Sequence, residues 1–151
     1  MVIAHMKTTT VQKQFVIEAS HERVWDLVAN VILQCLPLEK IDIISESAFN
    51  AVLRWKLGFV SLPMNLKGEL VDISPPTSLT CMLRVEVAIM RLAVKVRIVL
   101  APVSQGKKTE VVCTAQDAGT IAILRWVMGR QQQRFAGNTF DSIKKRLEQL
   151  C

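Results

Sequence analysis

The chain has 151 residues, enough for one well-cored domain and short for two. Half of it is hydrophobic and 21% is charged, a balance that excludes intrinsic disorder. A net charge of +6 suits an anionic surface, yet aromatics make up only 5%, tyrosine is missing and no aromatic–basic stripe occurs, which argues against nucleic acid as a partner.

No uncharged apolar run reaches the roughly 18 residues of a membrane span. Arg91 interrupts Val85–Val94, and Arg125 interrupts Ile121–Met128. At the N-terminus Lys7 and the Thr8–Thr10 run cut the apolar stretch too short for a signal peptide. Residues 1–6 read as a tail or cloning remnant ahead of a single domain over 1–151. The expected location is the cytoplasm, with peripheral contact at a membrane. Cys35, Cys81, Cys113 and Cys151 are widely spaced without a CxxC, and His5 and His21 stand apart, so neither a disulfide framework nor a metal site is expected, and no cofactor.

In chain order, Lys7–Ala19 reads as a first strand with Phe15, Ile17 and Ala19 on one face. Ser20 is a suitable N-cap, because its hydroxyl can accept from a free first-turn amide. Ser20–Asn30 carries a helical stripe of Val24, Leu27 and Val28, and Val31–Leu36 reads as a second short helical piece stopped at Pro37. From Ile41 onward the period becomes two. Ile41, Ile43 and Phe49 are assigned to one strand, and Ala51, Leu53, Trp55 and Leu57 share a face of the next. Val60, Leu62, Met64, Leu66, Gly68 and Leu70 follow, then the turn signal Ser74-Pro75-Pro76-Thr77. Leu79 to Val87 and Leu92 to Leu100 alternate in the same way. After Gln105-Gly106-Lys107-Lys108, Val111, Cys113 and Ala115 line the last strand. Short connections predict an antiparallel meander. The final element is a one-faced helix, with Leu124, Met128, Phe135, Thr139, Ile143, Leu147 and Leu150 at three- and four-residue steps and a break or kink at Gly129.

That order resembles the helix-grip layout of the START-like superfamily, and within it the CoxG-like family of carbon monoxide dehydrogenase accessory proteins. The resembling residues are Phe15-Val16-Ile17-Glu18-Ala19, His21-Glu22-Arg23-Val24-Trp25 and Cys35-Leu36-Pro37. Further on come Lys67-Gly68-Glu69-Leu70-Val71-Asp72-Ile73 with Pro75-Pro76, and Lys108-Thr109-Glu110-Val111. Leu38 stands where the family usually has glycine. The resemblance implies an α+β fold: a curved seven-stranded antiparallel sheet around a long C-terminal helix, with two short helices between the first two strands. It also implies an apolar-cavity protein that binds lipid or quinone, or tethers a redox enzyme to a membrane face, and it carries over no catalytic residue.

The inward positions predicted from the pattern are Leu53, Trp55, Leu66, Leu70, Leu83, Val85, Val94, Val96, Ile98, Val111, Cys113 and Ala115, joined from the helix by Leu124, Met128 and Phe135. They would form either a filled core or a chamber for an apolar ligand. None is an acid or base, and neither cysteine has a histidine nearby in sequence to activate it. Gln131 and Gln132 are the polar candidates for orienting a ligand. Alternate connections of a meander share one end, which groups Phe59, Val60, Ile89, Met90 and Ile121 with Arg91 and Arg125. Apolar tips ringed by basic side chains suit an anionic membrane or a hydrophobic partner, and this end is expected to be the cavity mouth. Non-enzymatic carriage of a hydrophobic small molecule is therefore expected. The alternatives are an aromatase/cyclase-like enzyme with a buried polar cluster among Gln131, Gln132, Arg84 and Glu86, or a structural adaptor.

Overall fold

The computed structural model describes the backbone of residues 10–36, 38–57, 60–87, 90–117 and 122–151, and their side chains except at 55–57, 60, 62, 87, 90, 122–133 and 135. The elements are β1 (Thr10–Ile17), α1 (His21–Cys35), β2 (Leu38–Ser45), β3 (Ala48–Leu57), β4 (Val60–Ser74), β5 (Ser78–Val87), β6 (Met90–Val103), β7 (Lys108–Asp117) and α2 (Ala122–Leu150). The strands form one antiparallel sheet in the order β1-β7-β6-β5-β4-β3-β2. Six consecutive strands make the meander, and β1 closes against its last member. This is the helix-grip fold that the alternating pattern predicts.

Ser20 caps α1 as expected, its hydroxyl accepting from the Arg23 amide at 3.4 Å. The two short helical pieces are one helix of 15 residues. No glycine or proline interrupts the chain between Asn30 and Val31, so nothing stops propagation there. Val24, Val28 and Val31 are buried at steps of four and three, and the helix ends only where Leu36 turns extended ahead of Pro37. Likewise α2 runs through Gly129 without a break, since a lone helical glycine costs about 1 kcal/mol and does not forbid the helix. On α2 the described buried residues are Phe140, Ile143 and Leu147; Leu150, placed on that stripe from sequence, is 37% exposed in the last turn.

Two details of the sheet depart from the simple alternation. Phe49 belongs to β3, not to the strand of Ile41 and Ile43, because the β2–β3 turn is Glu46-Ser47 and Ser45 pairs with Ala48. On β4 the register shifts between Leu70 and Asp72, leaving Val71 as an extra residue. Such a bulge reverses which parity faces inward: Leu70 pairs with Cys81 before it, and Ile73 pairs with Leu79 after it.

The solid core lies at one side of this sheet. Phe15 and Ile17 of β1, Ile98 and Leu100 of β6, and Val111, Cys113 and Ala115 of β7 meet Val24, Val28 and Val31 of α1 and Phe140, Ile143 and Leu147 of α2. Thr109 is wholly buried among them and donates its hydroxyl hydrogen to the Ala19 carbonyl at 2.8 Å, which fixes the link from β1 into α1.

Candidate functional site: an apolar chamber with two lobes

On the other side, facing β3 to β6, the inner face is not filled. A narrow lobe of about 110 Å³ lies beneath α2, bounded by Leu36, Leu53, Met64, Leu66, Leu83, Val85, Leu92, Val94, Ala136, Thr139 and Phe140. A wider lobe of about 400 Å³ lies beneath α1, against Trp25, Val28, Ala29, Ile32, Leu33 and Leu36. Its sheet wall includes Ile43, Phe49, Leu70, Ile73, Leu79, Cys81, Leu83 and Val96, and its rim is Ser45-Glu46-Ser47 with Ala48. The two lobes share Leu36 and Leu83, which stand at their junction. The wider lobe falls within the volume range of small-molecule sites, about 300–1,000 Å³. The narrower one, with Thr139 its one polar side chain among the described lining, is the kind of void water leaves empty.

The chamber exists because of register. Directly opposed inward residues run in a row across the sheet from Ile43 through Phe49, Gly68, Leu83 and Val94 to Asp117. Gly68 has no side chain to contribute, and the Phe49 ring lies over it: a methyl group built at Gly68 would overlap ring atoms Cε1 and Cζ. The backbone of Gly68 does not adopt a left-handed φ, so the ring alone accounts for glycine here. Phe49 thus forms part of the wall of the α1 lobe.

The inward residues expected from sequence divide into three groups. Leu53, Leu66, Leu83, Val85 and Val94 gather around the α2 lobe, while Leu70, Val96 and again Leu83 line the α1 lobe. Ile98, Val111 and Cys113 are in the solid core, no more than 1% exposed, together with Ala115. The side chains of Trp55, Leu124, Met128, Gln131, Gln132 and Phe135 lie outside the described residues. Of the apolar end, Phe59, Ile89 and Ile121, and the side chains of Val60, Met90 and Arg125, also lie outside them; Arg91 is exposed and pairs with Glu86 at 3.9 Å. Arg84 pairs with Glu69 at 3.8 Å and is exposed, and Glu86 borders a polar hollow of the outer face with Lys40, Asp42 and Lys67. Neither reaches the chamber, so these two do not form the buried cluster that the enzymatic alternative required.

Sequence reading missed the whole α1 wall, namely Trp25, Ile32, Leu33 and Leu36, along with Phe49 and Ile73. It also missed Asp117, a carboxylate only 5% exposed on the inner face of β7. Its signal was present in the two-residue period, since Val111, Cys113 and Ala115 lead straight to it. The thiols are held in their protonated form. Burial raises Cys113 to about 12, and it raises Cys81 in the α1 lobe as well, so neither is an activated nucleophile. Among the described residues no group of three or more His, Cys, Asp or Glu could hold a metal ion, and no helix is long and apolar enough to cross a membrane.

Known proteins with this architecture include a conserved protein from Geobacillus kaustophilus, 18% identical over 93% of this chain and 95% of that one, with a TM-score of 0.71. A START superfamily protein from Mycobacterium smegmatis is 14% identical over 96% and 100%, with a TM-score of 0.62. The Zhui aromatase/cyclase from Streptomyces sp. R1128 is 13% identical over 94% of each chain, with a TM-score of 0.64. At these identities the likeness is one of fold. No curated protein matches the sequence. The model of the carbon monoxide dehydrogenase CoxG family matches residues 14–148, nearly the whole of the folded chain, and the chain belongs to that family.

Proposed function

We propose that the protein binds and carries a hydrophobic small molecule of the lipid or quinone-like class. The observation that supports this most directly is the chamber itself: two adjoining lobes walled by apolar side chains, with polar groups gathered at one rim. Burying apolar ligand surface contributes about 25 cal/mol per Å² before ordering costs, so useful affinity requires no polar anchor. The START-like layout itself supports a binding or carrier role, and membership of the family makes service to a redox enzyme or a membrane face the setting in which to test it. Native mass spectrometry of freshly purified protein, with extraction of what co-purifies, is the first test. The expected result is a discrete apolar adduct, and a ligand-free protein that also takes up no added lipid or quinone would overturn the reading.

Contact with an anionic membrane through the end that holds Phe59, Val60, Ile89, Met90, Arg91, Ile121 and Arg125 is the second part of the proposal. Its test is vesicle flotation of a Phe59→Asp, Met90→Asp double variant. Loss of association is expected, and unchanged flotation would refute that contact while leaving the carrier role intact. A catalytic reading has one observation in its favour, the buried Asp117 opposite Val94 of the α2 lobe. Turnover of an added aromatic polyketide that Asp117→Asn abolishes would favour it over carriage.

A further inference from the structure

The two lobes are unequal and differently placed, and this restricts what fits them. The α2 lobe lies beside Val85 and Leu92, near the ends of β5 and β6 that face the 88–89 connection. The α1 lobe lies toward the opposite end, where the β2–β3 turn and the β4–β5 turn sit. The passage between them is flanked by Leu36, where α1 ends, and Leu83, in the middle of β5. At the outer limit of the α1 lobe Ile43 is 66% exposed and Ile73 is 46% exposed. These two large aliphatic side chains belong at once to the cavity wall and to the surface, so the chamber opens between them. The lip beside them is polar: the Ser45 hydroxyl accepts from the Ser47 amide at 3.3 Å, and the Glu46 side chain stands between them in sequence, exposed.

We infer that the ligand is an unbranched single-chain amphiphile that enters between α1 and the β2–β3 hairpin, rather than at the end expected from sequence. Its chain passes the Leu36–Leu83 junction into the α2 lobe, and its uncharged polar end stays at the Ser45–Ser47 lip. A compact polycycle would fill the wider lobe but cannot extend into a void of about 110 Å³ through that junction. An anionic end would be placed beside the Glu46 carboxylate, so an alcohol is favoured over a fatty acid anion. This inference rests on the carrier reading and adds the ligand's shape and its way in.

The test uses octanol, hexadecanol and anthracenemethanol as probes for the intact chain, with affinities from native mass spectrometry and the rate of iodoacetamide labelling at Cys81 as a second readout. Each methylene that reaches a buried seat contributes about fourfold, so hexadecanol should bind at least about a hundredfold more tightly than octanol. Leu83→Trp, which plugs the junction, should bring hexadecanol down to the affinity of octanol and leave octanol unchanged. Leu36→Phe plugs the same passage from the other wall and serves if the first variant does not fold. Octanol should slow Cys81 labelling in all three proteins, because Cys81 lines the entry lobe. Equal affinities for the two alcohols, tighter binding of anthracenemethanol than of hexadecanol, or equal weakening of both alcohols by the junction variants would overturn the inference and leave the carrier reading standing. Failure of every probe to bind would overturn both.

Discussion

The contact between Phe49 and Gly68 gives a prediction whose sign changes with its background. In the wild-type protein, Gly68→Ala puts a methyl group where the Phe49 ring already lies. The ring must swing away, into the α1 lobe that it borders. Forcing a side chain out of its seat in this way typically costs about 1–3 kcal/mol. Against that, alanine is favoured over glycine inside a strand by about 0.5–1 kcal/mol. The net expectation for Gly68→Ala is a loss of about 0.5–2 kcal/mol. In a Phe49→Ala background the ring is gone and only the strand preference remains, so the same substitution should stabilise by about 0.5–1 kcal/mol. Urea unfolding of the four proteins of this cycle, followed by circular dichroism, measures the coupling directly. A Gly68→Ala effect of the same size and sign in both backgrounds would refute the packing described here. The displaced ring should also shrink the entry lobe, so Gly68→Ala should weaken ligand binding by more than its effect on stability would account for.

The solid and hollow sides of the sheet should respond differently to truncation. Leu147→Ala empties a fully packed site and should cost about 2–5 kcal/mol, whereas Leu83→Ala, facing existing space on the junction, should cost less than about 2 kcal/mol; equal losses in urea unfolding would contradict a hollow at Leu83. Cys113 supplies a pH dependence. Its thiol keeps its proton in the folded state up to about 12, while the unfolded chain releases it near 9.0, so the contribution is complete below pH 9.0 and is lost as pH rises toward 12. One proton corresponds to a slope of up to about 1.4 kcal/mol per pH unit across that window. Cys113→Ala should lower stability at neutral pH and flatten the decline above it, and an unchanged slope in alkaline unfolding curves would show that the thiol is not the group responsible.

Much of the architecture was legible because it is written in periodicity. The two-residue alternation from Ala51 to Ala115 identified the inward face of β3, β5, β6 and β7, and the turn chemistry around Pro75-Pro76 and Gly106 separated the strands. Periodicity has no means of announcing where it resets. The extra residue Val71 reverses the inward parity of β4, and nothing in the sequence of Leu70-Val71-Asp72-Ile73 distinguishes a bulge from continued alternation. Ile73 was therefore invisible as a wall residue. The α1 wall was missed for a different reason. Trp25, Ile32 and Leu33 flank the Val24–Val28–Val31 stripe, and a helix whose apolar arc is this wide covers core with its centre and a cavity with its margin.

That geometry also explains why one fold contains both a packed core and a chamber. Two helices must cover seven strands. The C-terminal half of α2 and the buried face of α1 converge over β1, β7 and β6, where Phe140, Ile143 and Leu147 meet Val24 and Val28 and exclude space. Among the described side chains, β3 and β4 receive only the margin of α1 and the short reach of Ala136 and Thr139 from α2. Small residues on the covering helix and a glycine on the sheet leave the two surfaces apart at Gly68. The core holds the fold while this thinner half stays open, so affinity for a ligand and stability of the domain can be altered independently. Substitutions at Leu36, Phe49 and Leu83 should move the first, and substitutions at Val28, Ile98 and Leu147 the second.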